Sequence, residues 1–423
     1  MRRRACGARA RHRRRGARSR SATRSPAACA GSGMEPKFLK RNSIFDLLER
    51  HGYGVADLLP AFPGCSESAV VQRLEDNGLQ NRRTVWRMGH LGIRPCRTKF
   101  FNIAAEGNRQ LGEGLMVPRG MDHVVHCYGG STTLCSNVAD GETWPSYLQQ
   151  FLMGRPKMGN IQVVNWGAGN LTTLQASTRL LVNCMEGRVP STAIFYGGSN
   201  DCFYSWGDVD GVVAFLDRCL EASQHHPGVA TPVGELARLI PSRDLNDPLR
   251  RPHPLPSMSE VREALLRIRQ ARTVARQIQA ACTENWGVNV LRFWEPTPFA
   301  FVRSDQDLVP RIRQSNHRMT LTQEVHRALA ADALGASLEE EVVDLSDIGQ
   351  DRLAGPLWID EMHASPLLNS VVAEAILPVL ERKLTARLPR VWFRSSNRQR
   401  QSRRNVAPLA KSPDSDSNLY PLW

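Results

Sequence analysis

His123-Val124-Val125-His126-Cys127-Tyr128-Gly129-Gly130-Ser131-Thr132-Thr133 is the stretch that decides the fold. A run of Val, Cys and Tyr ends abruptly in two glycines, and hydroxyl residues follow. That order suits a short buried strand, a tight turn and the start of a helix. The motif has company downstream. Ile161–Trp166 is a second strand candidate, ending in Gly167-Ala168-Gly169-Asn170-Leu171-Thr172-Thr173 and leading into a helical segment over Thr172–Glu186. Ala193–Tyr196 is a third, ending in Gly197-Gly198-Ser199-Asn200-Asp201-Cys202, with a helix expected over Val209–Ala222. Val288–Trp294 and Glu341–Leu345 are the fourth and fifth. Strands alternating with longer amphipathic segments predict βαβ units, hence an α/β fold whose parallel sheet carries helices on both faces.

Working outward, Trp144–Met153 reads as the helix after the first strand, and Ser259–Cys282 as a long helix before the fourth. The latter would bury Val261, Leu265, Ile268, Ala271, Ala275, Ile278 and Cys282 and turn Arg262, Arg267, Arg269, Arg272 and Arg276 to solvent. A final helix covers Pro366 to Leu384, with Pro378 predicting a kink or an early end. Residues 224–258, with seven prolines and His225-His226, read as a long loop insert. Upstream, 34–120 reads as an N-terminal extension packed on the main domain of 121–386. It has a helical pattern over 44–62, and residues such as Trp86, Leu91, Ile93 and Phe101 suggest short strands over 68–120.

The chain has 423 residues and a formal net charge of +14. The excess is confined to the ends. Residues 1–33 hold eleven Arg and no acid, residues 387–423 are net +6, and the body between is net −3. Both basic tails read as disordered, since neither can bury enough apolar surface to offset ordering entropy. Nucleic acid is therefore not the expected partner. Met34-Glu35-Pro36-Lys37 also looks like a second translation start. No apolar run approaches the ~18–20 residues of a membrane-spanning helix. No apolar core follows the N-terminal arginines, so no secretory signal is expected. Ten Cys without a C-x-x-C pair suggest reduced thiols, and the cytoplasm is the expected compartment.

The polar turns at the strand ends carry the chemistry, because ligands bind at the carboxyl ends of parallel strands. Ser131 stands at a strand-to-helix turn behind two glycines, where its hydroxyl can be exposed, although Ser and Thr also suit a helix N-cap there. Trp358-Ile359-Asp360-Glu361-Met362-His363 precedes the last helix. His363 can serve as a base, and Asp360, three residues earlier, can orient its imidazole. Asn200 offers an amide donor, and the Gly167–Asn170 turn offers backbone N–H groups for a developing oxyanion. Gly167-x-Gly169-x-x-Thr172 also approaches a dinucleotide fingerprint, but the next strand ends in Gly197-Gly198 rather than an acidic residue for a ribose. His123 and His126 lie three apart on a strand and so face opposite ways, which argues against a shared metal. Trp166, Phe203, Tyr204, Trp206 and Trp358 gather near these turns, either as a wall of the site or as packing.

Taken in chain order, these blocks resemble the SGNH (GDSL-like) hydrolases, in particular a subgroup carrying G-G-S-T-T followed by a segment like Glu142-Thr143-Trp144-Pro145. The resemblance runs from about Asp122 to Leu384. It implies a flavodoxin-like three-layer α/β/α sandwich and an ester hydrolase of carboxylester or acetyl esterase type. Ser131 would be its nucleophile, and His363 and Asp360 the rest of the triad. The oxyanion hole would comprise the Ser131 N–H, a donor from Gly169 or Asn170, and the Asn200 amide. No metal or organic cofactor is implied, and the substrate would be a small-molecule or saccharide ester. An O-acyltransferase acting on a saccharide, or a catalytically silent module that binds a carbohydrate or partner, would use the same scaffold. Two positions depart from the family pattern. Gly130 replaces the usual Asp before the nucleophile, as in the subgroup, and Asn170 stands at the second block's glycine.

Overall fold

The computed structural model describes residues 43–87, 90–115, 123–155, 158, 160–204, 257–298, 327–328, 342–348, 355–360 and 362–385. The contacts divide the chain between Lys40 and Arg41, and every described residue belongs to the second unit. Both basic tails, the helix expected over 209–222 and the 224–258 insert lie outside the described residues.

Five parallel strands form the central sheet: β3 (His123–Tyr128), β4 (Ile161–Asn165), β5 (Thr192–Gly197), β6 (Asn289–Trp294) and β7 (Val342–Asp344). Their order across the sheet is β4-β3-β5-β6-β7. Renumbered from the first of them this is 2-1-3-4-5, the flavodoxin-like order, whose direction of winding reverses between the first and third strands. Register places Cys127 beside Asn165 and Tyr128 beside Phe195. Gly197 is aligned with Trp294, so the strand ends named above share one edge.

Helices cover both faces. One face of β3, β4, β5 and β6 (Val125, Cys127, Val163, Ile194, Tyr196, Phe293) packs with Trp144, Leu148 and Leu152 of α4 (Trp144–Met153) and with Leu368, Val372 and Ile376 of α8 (Pro366–Thr385). On the other face Tyr128, Ala193 and Phe195 meet Ala176, Leu180 and Cys184 of α5 (Thr173–Met185) and Cys282 of α7 (Met258–Trp286). Local chemistry sets the helix ends. Thr172 and Gln175 form a capping box on α5, and Ser257 and Glu260 form one on α7. Gly287 closes α7 with φ 71°, a backbone state glycine adopts without strain. Pro378 does not end α8, which continues to Thr385.

The segment before the sheet differs from its expected outline. α1 (Ser43–Arg50) and a 3-10 turn (Val55–Ala61) follow the helical pattern over 44–62. Residues 67–83, expected to lie in a region of short strands, instead form α2 (Glu67–Arg83). Its buried residues include Arg73, Asp76 and Asn77 beside Val70 and Leu74, so no clean apolar stripe announces it. Among the described residues the strands here are a hairpin of β1 (Thr84–Arg87) and β2 (His90–Ile93). Ile44, Phe62, Val70 and Leu74 join the α4/α8 core.

Candidate active site

Ser131 opens α3 (Ser131–Leu134), a single turn at the end of β3, and is 9% exposed. The two glycines before it are required by close approach. A Cβ on Gly129 would lie 2.1 Å from the Tyr196 carbonyl oxygen, and one on Gly130 would lie 2.1 Å from Asn200 Nδ2. The Asn200 amide therefore occupies the space that an Asp side chain at position 130 would need. Past α3 the chain turns sharply through Cys135 (φ 57°) and Asn137 (φ 73°). This turn is gripped by Arg109, which is fully buried. Arg109 Nε donates to Asp140 Oδ1 at 2.9 Å, and its Nη atoms donate at 2.6 Å to the carbonyls of Leu134, Cys135 and Val138.

Asp360 and His363 lie on the loop that enters α8. Asp360 Oδ2 accepts from His363 Nδ1 at 2.6 Å and from Asn137 Nδ2 at 2.7 Å. Its Oδ1 accepts the backbone N–H groups of Met362 (2.8 Å) and His363 (2.7 Å). Burial alone would raise the Asp360 pKa. The His363 imidazole, through charge and hydrogen bond, and the two backbone donors outweigh it and hold the carboxyl below its ordinary value. A carboxylate can only accept, so Nδ1 carries the proton, and in neutral His363 Nε2 is the basic nitrogen. Asn137, six positions after Ser131, thus ties the Asp360–His363 loop to the Ser131 turn.

Asn200 sits in the first turn of α6 (Ser199–Tyr204), after β5. Its Nδ2 donates to the Leu171 carbonyl at 2.9 Å, which joins the third turn to the second. In that second turn Asn170 has φ 61°, while a Cβ on Gly169 would meet nothing within 4 Å. Left-handed backbone is where glycine is favoured and where Asn is the best tolerated alternative. This accounts physically for an Asn at position 170. The Ala168 N–H donates to the Gly129 carbonyl at 3.2 Å, closing the second turn onto the first.

Glu295, directly after β6, is 1% exposed. Its Oε2 accepts from Thr132 Oγ1, and its Oε1 accepts from the Ser199 N–H at 2.7 Å. Burial raises its pKa above the ordinary carboxylate value, against the lowering effect of the Thr132 and Ser199 hydrogen bonds.

The Ser131, Asn170 and Asn200 turns are therefore joined through direct contacts, and Asp360 and His363 reach the Ser131 turn through Asn137. Arg109, Asn137 and Glu295 carry no motif, and sequence reasoning missed them. The one usable signal was for Glu295, an acidic residue at the carboxyl end of the fourth strand.

A cavity of about 40 Å³ is lined by Gly130, Asn200, Glu295, Arg272, Arg276 and Arg292, among others. Its lining includes neither Ser131 nor His363. Two arginines expected on the solvated face of α7 turn inward instead. Arg276 lines this cavity, and Arg272 stacks over the Trp294 ring at 4.8 Å with Asp201 3.9 Å away. Arg262 and Arg269 are exposed, and Arg267 pairs with Glu263.

Of the aromatic residues named above, Trp166 and Trp358 are buried, with Arg179 and Arg188 against the Trp166 ring. The side chains of Phe203, Tyr204 and Trp206 lie outside the described residues. His126 is buried against the Tyr128 hydroxyl at 2.9 Å, and burial, then Arg188 and Arg179, lower its pKa to about 3. Among the described residues no cluster of three or more His, Cys, Asp or Glu could hold a metal ion. The seven described cysteines form no disulfide among the described residues. No described helix is long and apolar enough to cross a membrane.

No protein-family model matches the sequence, and a comparison with curated proteins finds no match. Among solved structures the chain is similar to the acetyl xylan esterase AlAXEase, with 12% identity over 60% of this chain and 98% of that one and a TM-score of 0.33. It is similar to a member of the lipolytic protein G-D-S-L family from Veillonella parvula DSM 2008 (12% identity, 61% and 98% covered, TM-score 0.34). A third is a carbohydrate acetylesterase family member from Sinorhizobium meliloti (17% identity, 62% and 99% covered, TM-score 0.30).

Proposed function

We propose that the protein is a serine ester hydrolase of carboxylester or acetyl esterase type, acting on a small-molecule or saccharide ester as an SGNH-type enzyme of the G-G-S-T-T subgroup would. The observation that carries this reading is the Asp360–His363 pair, held by four donors to Asp360, one of which is Asn137 from the Ser131 turn.

In the proposed reaction His363 Nε2 takes the Ser131 hydroxyl proton as Oγ attacks the ester carbonyl carbon. Asp360 keeps the imidazole in the tautomer that can do this and stabilises the imidazolium that forms. The Ser131 N–H, the N–H of Gly169 or Asn170 and the Asn200 amide face the developing oxyanion. Collapse of the tetrahedral intermediate expels the alcohol, which takes the proton from His363. Water, deprotonated by His363, then attacks the acyl-enzyme and releases the acid and Ser131. The winding reversal between β3 and β5 supports this location, because ligands bind at that point in open parallel sheets.

The test is Ser131→Ala in the full chain, assayed with a short-chain aryl ester and a fluorophosphonate probe. The expected result is a folded protein with thermal unfolding near wild type, no turnover and no labelling. Turnover or labelling at the wild-type level would overturn the nucleophile assignment.

A further inference from the structure

Glu295 is a charged residue whose placement the reaction does not itself require. A buried carboxylate is expensive unless its oxygens are satisfied by hydrogen bonds. Both oxygens of Glu295 are spent on the frame of the site. Oε2 takes the hydroxyl of Thr132, the residue after Ser131, and Oε1 takes the N–H of Ser199, the residue before Asn200, at 2.7 Å. The Glu295 N–H in turn donates to the Gly197 carbonyl at 3.3 Å, which anchors the carboxylate to the end of β5. The two turns it bridges come from different strands, 63 positions apart in the Thr133–Tyr196 hydrogen bond that also joins them. Gly130, lacking a side chain, lets the Asn200 amide approach the Ser131 turn but exerts no restoring force on it. Glu295 supplies that restraint from both sides.

We propose that Glu295 is a positioning residue that sets the spacing between Ser131 and the Asn200 amide for acyl transfer. The proposal rests on the esterase reading above. Glu295 acts through Thr132 and Ser199. Its effect is therefore expected in the transition state, where the Ser131-to-amide distance matters, rather than in ground-state substrate binding.

The experiment compares wild type, Glu295→Ala, Glu295→Gln, Thr132→Val and Ser131→Ala in the full chain. It measures kcat and KM separately on p-nitrophenyl acetate, the rate of fluorophosphonate acylation, and thermal unfolding. Glu295→Ala is expected to lower kcat and the acylation rate by about 10²-fold, the scale of a misplacement near 1 Å, while KM stays within about threefold. Thr132→Val, which removes one arm of the bridge, is expected to fall in the same direction by less. Glu295→Gln is expected to recover most of the loss. Its amide oxygen can accept from the Ser199 N–H, and its amide nitrogen can donate to the Thr132 hydroxyl.

Wild-type kcat and acylation rate in folded Glu295→Ala, alongside a dead Ser131→Ala, would overturn this inference and leave the esterase reading standing. Loss of melting temperature without loss of kcat would overturn it equally. Should Glu295→Ala fail to fold, Thr132→Val decides, and a wild-type kcat there sinks the proposal. A wild type without Ser131-dependent turnover overturns both readings.

Discussion

Asn170 holds φ 61° at the apex of the second turn, and the strain of a side chain there makes its role testable. If the turn contributes a backbone N–H to the oxyanion, the side chain at 170 is dispensable and only the left-handed conformation matters. Asn170→Gly is then expected to keep ester turnover within a few-fold of wild type and to unfold no earlier. Asn170→Ala is expected to cost about 1 kcal/mol of stability, because the left-handed state strains any Cβ that lacks a compensating local hydrogen bond. Thermal unfolding and initial rates on both variants check this. A large loss of rate in Asn170→Gly with unchanged stability would mean that the Asn170 amide itself takes part. Residue identities at the glycines and at the proposed Ser131, Asp360 and His363 were legible in the sequence because steric exclusion and acid–base chemistry restrict the choice to few side chains. Asn137 and Glu295 were not, since a buried polar residue announces itself only through partners distant in the chain.

At the scale of elements, periodicity served well where burial is apolar and one-sided. α4 was read at its observed ends, and α5 and α8 within a residue or so, because each presents an apolar face to the sheet. α2 escaped because part of its buried face is polar. Arg73 pairs with Glu142, Asp76 accepts the Phe100 N–H, and Asn77 donates to the Val138 carbonyl. These bonds make burial affordable yet erase the hydrophobic pattern. α8 also shows packing overriding local propensity. Pro378 is exposed within a helix whose Leu377 and Leu380 are buried. It removes one backbone hydrogen bond, and its ring crowds the preceding turn. Pro378→Ala is therefore expected to stabilise the protein by about 1–3 kcal/mol, seen as a higher denaturant midpoint at unchanged slope.

For the molecule as a whole, Arg109 is the residue whose loss should be felt furthest. It lies before the sheet in sequence, pairs its backbone N–H with the Asn165 carbonyl at 2.9 Å, and directs its guanidinium under the turn that follows Ser131. Arg109→Met is expected to lose about 3–5 kcal/mol, because the buried Asp140 carboxylate is left short of its cation and three buried carbonyls lose a donor. Urea unfolding measures the loss, and a shift under about 1 kcal/mol would show that the surrounding donors compensate.

The sequence by itself determined the strand–turn–helix rhythm, the parallel sheet and the candidate Ser131, Asn200, Asp360 and His363. Those depend on local geometry, apolar periodicity and the chemistry of single side chains. Only the tertiary structure decided that Asn137 binds Asp360, that Arg109 and Glu295 brace the turns around Ser131, and that Arg272 and Arg276 face inward. A buried polar contact is satisfied by whatever donor or acceptor the fold brings within about 3 Å, and that proximity is set by packing rather than by neighbours in the chain.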